Sequence, residues 1–379
     1  MKTIQVVCCI IFLCLACSTV SFAADTIKIG ALFSVTGPAS FLGAPERNTA
    51  QMVVDEINKA GGVKGRKLEL IVYDTAGDAT KAVQLATRLI KNDKVVAIVG
   101  PSTSGESMAV IPVVEKEQIP LISCAASVKI TEPVKKWVFK TPQNDALAVA
   151  KIYEHLQKTR QTNVALLTVS DGFGASGREQ LKALAGKYGI KIVSDDTYGP
   201  KDTDMTAQLT KIRGSQAQAV ICWGTNPGPA IIAKNVRQLG IKTPLYMSHG
   251  VSSKKFIELA GDAAEGLRLP SGRALVADML PASDPQKKSL LAFLKDYQNH
   301  FKAEADTFGG HAWDSIMLIK NAVEKGANSP ATIRDQLEKT RHFSGISGVF
   351  NYSESDHAGL TKDAFVMIEI KNKDWALLK

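Results

Sequence analysis

The sequence predicts an α/β protein built from two doubly wound, Rossmann-like sheets, each covered by helices on both faces. Three observations predict it. Short β-branched runs alternate with amphipathic helical stretches from Thr26 onward. Runs such as VVAIVG (95–100) carry no polar face, as expected of parallel strands with helices on both sides. The alternation breaks at KTPQND (140–145), where Pro142 interrupts it, and then starts afresh, so a second sheet follows the first. A chain of 379 residues accommodates two units of ordinary size.

In the first unit the expected elements are the strand TIKIGALF (26–33), a helix over about 45–60 and the strand KLELIVYD (67–74). A helix over 79–91 follows, with apolar Ala82, Val83, Leu85, Ala86, Leu89 and Ile90 on one face. VVAIVG, a helix over 105–117 and the strand PLIS (120–123) complete it. After KTPQND come a helix, NVALLTV (163–169), a helix after Gly174, IKIVSDDTY (190–198) and a helix opened by Thr203 or Asp204. Then come AVICW (219–223), a helix over 229–239, PLYM (244–247), a short helix over 252–260 and GLRLP (266–270). Beyond about Gly272 helices are expected over 285–301 and 308–325, with a shorter one before Thr340. AFVMIEI (364–370) and DWALL (374–378) read as closing strands.

Composition is that of a globular protein, 45% hydrophobic and 22% charged. A net charge of +9 without a basic run interleaved with aromatics describes a solvated surface, not a nucleic-acid partner. Lys2, the apolar run from Val6 to Val20 and the small residues Ser21, Ala23 and Ala24 have the layout of a secretory signal peptide over residues 1–24. The mature chain is expected to begin near Ala24 or Asp25 and to be exported. Cys17 after Leu15-Ala16 is a weaker lipoprotein signal, because Cys14 stands where such a signal wants an aliphatic residue. Of the six cysteines only Cys124 and Cys222 fall beyond that segment. They close strands in different units, so two buried free thiols are expected in preference to a bond that would tie the units together.

Several markers carry a resemblance. IKIGALFSVTGPASFLG (27–43), VVDEINKAGGVKGRKLELIVYD (53–74), AIVGPSTSGESMAV (97–110), IPLISCAAS (119–127) and KTPQND come first, and GIKTPLYMSHGV (240–251) and AGDAAEGL (260–267) follow in order. The chain resembles the type I periplasmic binding proteins over essentially its whole length after the signal segment, specifically the leucine/isoleucine/valine-binding branch. The resemblance implies two lobes joined by three hinge crossings, near Thr141 to Asp145, near Pro270 to Ala274 and between Tyr352 and Thr361. Lobe 1 would comprise 25–143 with 273–355, and lobe 2 would comprise 144–272 with 356–379. It further implies a periplasmic monomer that binds a small carboxylate or amino acid between the lobes and delivers it to the permease and ATPase subunits of an ABC importer. No cofactor and no metal are implied.

Loops at the carboxyl ends of parallel strands meet helix N-termini whose unpaired amides attract anions. VVAIVG runs into Pro101-Ser102-Thr103-Ser104-Gly105, and PLIS runs into Cys124-Ala125-Ala126-Ser127. The resemblance assigns the ligand's carboxylate to Ser104, Ala125, Ala126 and Ser127 in these loops. Small residues of this kind also serve as caps and turns, so the pairing of two such loops is what points to a ligand. The family typically places an acid before the Gly-Val of 250–251 to meet an ammonium, and this chain has His249, whose imidazole supplies no negative charge. Leu42 and Thr225 stand where the family commonly has Tyr, and Phe173 stands where a stacking aromatic is usual. The expected ligand is therefore a carboxylate lacking an α-ammonium, an aromatic or branched acid, with Phe173 and Trp223 as walls and His249 as a donor. The alternative is a leucine, isoleucine or valine ligand, with His249 a capping or surface residue and Trp223 part of the core. Asp74 and Asp78 read as turn and cap residues.

An enzyme is not expected. No G-x-S-x-G elbow or H-E-x-x-H helix occurs, the six histidines are scattered, and GPSTSGES lacks the G-K-[ST] ending of a phosphate loop. The ligand-sensing subunit of a receptor is the remaining rival.

Overall fold

The computed structural model describes residues 26–378. The expected signal peptide, with Cys8, Cys9, Cys14 and Cys17, lies outside the described residues. Elements of the first unit are β1 (Ile27–Phe33), α1 (Ser40–Lys59), β2 (Leu68–Asp74), α2 (Ala79–Arg88), β3 (Ala97–Val99), α3 (Ser104–Glu117), β4 (Leu121–Ser123) and β5 (Val138–Lys140). The second runs α4 (Asp145–Lys158), β6 (Asn163–Val169), α5 (Gly172–Ala185), β7 (Lys191–Tyr198), α6 (Thr206–Arg213), β8 (Ala219–Trp223), α7 (Gly228–Gln238), β9 (Leu245–Met247), α8 (Lys254–Ala260) and β10 (Arg268–Gly272). Then come α9 (Lys287–Phe301), α10 (Thr307–Glu324), α11 (Pro330–Glu338) and the hairpin β11 (Phe343–Ser344) with β12 (Val349–Phe350). β13 (Phe365–Lys371) and β14 (Asp374–Leu377) end the chain.

Two sheets result. The first has the order β2-β1-β3-β4-β5, and the second β14-β13-β10-β9-β8-β6-β7. Every pairing in the first is parallel, and in the second only β13 and β14 run antiparallel to their neighbours. β3 and β8 are buried at every residue, which explains why neither shows an alternating polar face. In β1 the pleat sends Ile29, Ala31 and Phe33 into one core and Leu32 into another. The first of these cores also takes in Leu290, Ile316 and Ile319 from α9 and α10, helices that follow Gly272.

Some boundaries differ from the sequence expectation. α1 starts at Ser40, ahead of Pro45, which sits inside the helix. The missing proline N–H removes one backbone bond without ending the helix. α2 passes into a π turn over Leu89–Asp93. β5 and the β11–β12 hairpin were not expected. Leu360 and Ala364 pack in the first core, and Phe365 opens β13 of the second sheet. Cys124 and Cys222 are both free and buried.

Candidate functional site

Strand order reverses around β1 and β3 in one sheet and around β6 and β8 in the other, and ligands of open α/β sheets bind at such switch points. The carboxyl ends of these strands face one another across a cavity of about 360 Å³. Ser102 to Glu106, Cys124, Ala125 and Ala126 line it from the first lobe, with Phe308 and His311 of α10 beside them. Asp171, Phe173, Tyr198, Thr225, Asn226 and His249 line it from the second.

The first wall is built by caps. Thr103 opens α3 with its side chain accepting from the Glu106 amide while Glu106 reaches back to the Thr103 amide, a reciprocal box that fixes the helix start. Ser104 is thereby held at the first position of α3, where amides lack intrahelical partners. Its Oγ accepts from the Ser127 amide at 3.2 Å, joining the two small-residue loops. Ser107 and Ser123 join them again one turn deeper at 2.8 Å. Behind the wall, Ser102 Oγ accepts from the Ser34 amide at 3.0 Å and bonds the buried Glu46 carboxyl. Burial holds that carboxyl well above the usual range.

The facing wall is aromatic. His249 lines the cavity with its ring set edge-on to Phe173, Trp223 and Phe365 at centroid distances of 5.4, 5.7 and 5.3 Å. Among the described residues neither ring nitrogen has a hydrogen-bond partner, and both are shielded from solvent. Burial, with the charges of Lys140 and His311 adding to it, depresses the imidazole to about 3, so His249 is neutral and acts as a ring surface. Asp171 caps α5 by accepting from the Gly174 amide at 2.8 Å, and burial raises its carboxyl.

Leu42, Ser104, Ala125, Ala126, Phe173, Thr225 and His249 are brought together around the cavity. Ser127 and Trp223 are not on its wall. Ser127 is 2% exposed and donates its hydroxyl across the lobes to Ser176 at 2.9 Å. Trp223, expected as a wall, lies fully buried behind Phe173 and His249. Gly177 lets it sit there, since a Cβ at 177 would meet the indole at 2.1 Å. Asp171 and His311 were missed. Asp171 signalled only as a helix cap, and His311 arrives on a helix distant in sequence. Asp78 caps α2, and Asp74 accepts from the Ala76 amide two residues on and from the Thr36 hydroxyl. Among the described residues no group of acids, histidines and cysteines could hold a metal ion.

A family model described as periplasmic binding protein matches residues 26–374. The chain belongs to the periplasmic binding protein family. It is similar to the leucine-, isoleucine-, valine-, threonine- and alanine-binding protein of Pseudomonas aeruginosa, at 28% identity over 88% of this chain and 87% of the relative. The Leu/Ile/Val-binding protein of Escherichia coli K12 is 25% identical over 90% of each. An extracellular ligand-binding receptor from Rhodopseudomonas palustris HaA2 superposes with a TM-score of 0.88 at 29% identity, covering 93% of this chain and all of that one. The branched-chain amino acid transporter substrate binding protein LivJ of Streptococcus pneumoniae, solved with isoleucine, gives 0.83 at 29% identity and covers 94% of this chain and 100% of its own. The chain is thus a periplasmic binding protein of the leucine/isoleucine/valine-binding branch and not an enzyme. No helix among the described residues is long and apolar enough to cross a membrane.

Proposed function

We propose that the chain captures one small carboxylate with an apolar body and presents it, as a monomer, to the permease and ATPase subunits of an ABC importer. The observation that supports it is the division of the cavity into an amide- and hydroxyl-bearing wall at the α3 N-terminus and apolar walls of Leu42, Phe173 and Phe308. A helix N-terminus attracts an anion, and the apolar walls accept the remainder. The relatives' names, leucine, isoleucine and valine binders, make an aliphatic α-amino acid the first candidate. Asp171, the acid that lines the cavity from the second lobe, is the group that would meet such an ammonium.

His249 favours a second reading. A neutral ring with both nitrogens shielded offers nothing to an ammonium, which supports a branched or aromatic acid lacking one. Isothermal titration with leucine and with 4-methyl-2-oxopentanoate separates the two readings, and binding of neither sinks the carboxylate assignment. Ser104→Ala is expected to weaken whichever acid binds by about 1 to 3 kcal/mol. Ser127→Ala is expected to weaken it less, because its hydroxyl is spent on Ser176. Unchanged affinity in the Ser104 variant would place the anchor elsewhere. Export is proposed to follow removal of residues 1–24 and not lipidation at Cys17, and the mass of the mature N-terminus tests it.

A further inference from the structure

The hinge carries a buried lysine beneath the cleft, whose amine burial lowers to about 7 while the charge of Asp145 raises it. Lys140, the last residue of β5, is fully buried. Its Nζ donates to the carbonyls of Ala126 at 2.5 Å and Ser127 at 3.4 Å. Its opposite charge, Asp145, stands across the hinge in the first turn of α4, also fully buried. Asp145 accepts from the Ser176 hydroxyl, which in turn accepts from Ser127. The loop that meets the α3 N-terminus is therefore gripped at its carbonyls by Lys140 and at the Ser127 hydroxyl by Ser176 of the other lobe.

A buried ammonium costs several kcal/mol unless it is well compensated, so space-filling alone does not account for lysine at this position. A trans peptide points its C=O and N–H in opposite directions. Turning the Ala126 carbonyl toward the ammonium aims the Ser127 N–H the other way, where it meets Ser104 Oγ at 3.2 Å. The cation's field also reaches the cavity walls. After burial, the Lys140 charge is the next cause that lowers both His249 and His311. Glu132 and Asp356 act on Lys140 more weakly than Asp145 does.

We propose that Lys140 is a positioning residue for the carboxylate site, orienting the peptide groups of residues 126 and 127 from behind and supplying the site's positive charge without touching the ligand. The inference rests on the carboxylate reading given above. The test compares each acid with its uncharged-carboxyl counterpart, leucine with leucinamide and 4-methylpentanoate with 4-methylpentanamide, by titration calorimetry. The wild type is expected to prefer the acid. In Lys140→Met/Asp145→Leu both buried charges leave together at similar volume, which spares the fold. There the acid-to-amide preference is expected to fall about tenfold or more. Acid and amide weakening in step, or an unchanged ratio, would reduce Lys140 to a structural role and overturn the inference. Burial lowers the Lys140 amine to about 7 and the Asp145 charge raises it, so Asp145→Asn, which removes that support, is expected to lower the ratio as well, and an unchanged ratio would overturn the inference even if the double variant did not fold. A wild type without acid preference would remove the carboxylate reading itself, and this inference with it.

Discussion

Gly177→Ala is expected to destabilise the second lobe by about 3 kcal/mol or more and to weaken ligand binding with it, because overpacking a fixed core forces backbone and side chains off their minima. An added Cβ would lie 2.1 Å from Nε1 and 2.2 Å from Cε2 of Trp223. The indole has nowhere to go. It is fully buried at the end of a strand buried at every residue. Its free sides are taken by Phe173 and His249, each 5.7 Å away between centroids. Both of those rings line the cavity, so any displacement of Trp223 is passed to the ligand's aromatic wall. Gly174 enforces the same close approach one turn earlier, where a Cβ would come within 1.8 Å of the Val169 carbonyl oxygen. Thermal unfolding followed by circular dichroism, with titration of the folded protein, checks this. A variant that melts with the wild type would show that the indole has room to shift.

The same pair of residues shows where sequence reading reaches its limit. AVICW is legible as a strand because burial on both faces leaves an unbroken apolar run. Which face its terminal Trp occupies depends on Gly177, 46 positions away, whose only sequence signal is a glycine in a helix. The loops at 101–105 and 124–127 are legible because strand ends and helix starts dictate what small hydroxyl residues do there. Ser127 faces the other lobe because Ser176 accepts its hydroxyl and in turn donates to Asp145, a contact between residues 49 positions apart. β5 escapes notice because it has three residues and ends in a lysine, which reads as the edge of a loop until its ammonium is seen to satisfy two carbonyls. His311 shows the same limit, since periodicity identifies α10 as a helix without saying that one of its turns borders a cleft built mainly from other segments.

Acid stability is expected to turn on His249. Folding depresses its imidazole to about 3, against about 6.5 in an unfolded chain. Between those values the unfolded chain binds a proton that the folded chain refuses, so stability from this group is present above pH 6.5 and is lost as pH falls toward 3. The slope is about 1.4 kcal/mol per pH unit inside that window. His311, likewise depressed to about 3 by burial, acts in the same direction. Asp306 and Asp314, raised to about 7 by burial, act oppositely, because the folded chain keeps protons that the unfolded chain has released. Glu46, Asp145 and Asp171, also raised by burial, add to the acids' side, so the wild-type profile is a sum of opposed contributions. His249→Phe removes one contributor while leaving the others in place. Phenylalanine suits a site ringed by Phe173, Trp223 and Phe365 in which neither imidazole nitrogen has a partner. The variant is expected to match or exceed the wild type in stability at pH 7 and to gain on it steadily as pH is lowered to 4. Denaturant unfolding of both proteins at pH 7, 5.5 and 4 reads the difference directly. A constant difference across that range would mean that the imidazole takes up its proton without unfolding, so that the aromatic wall opens to water and His249 can carry charge toward a ligand.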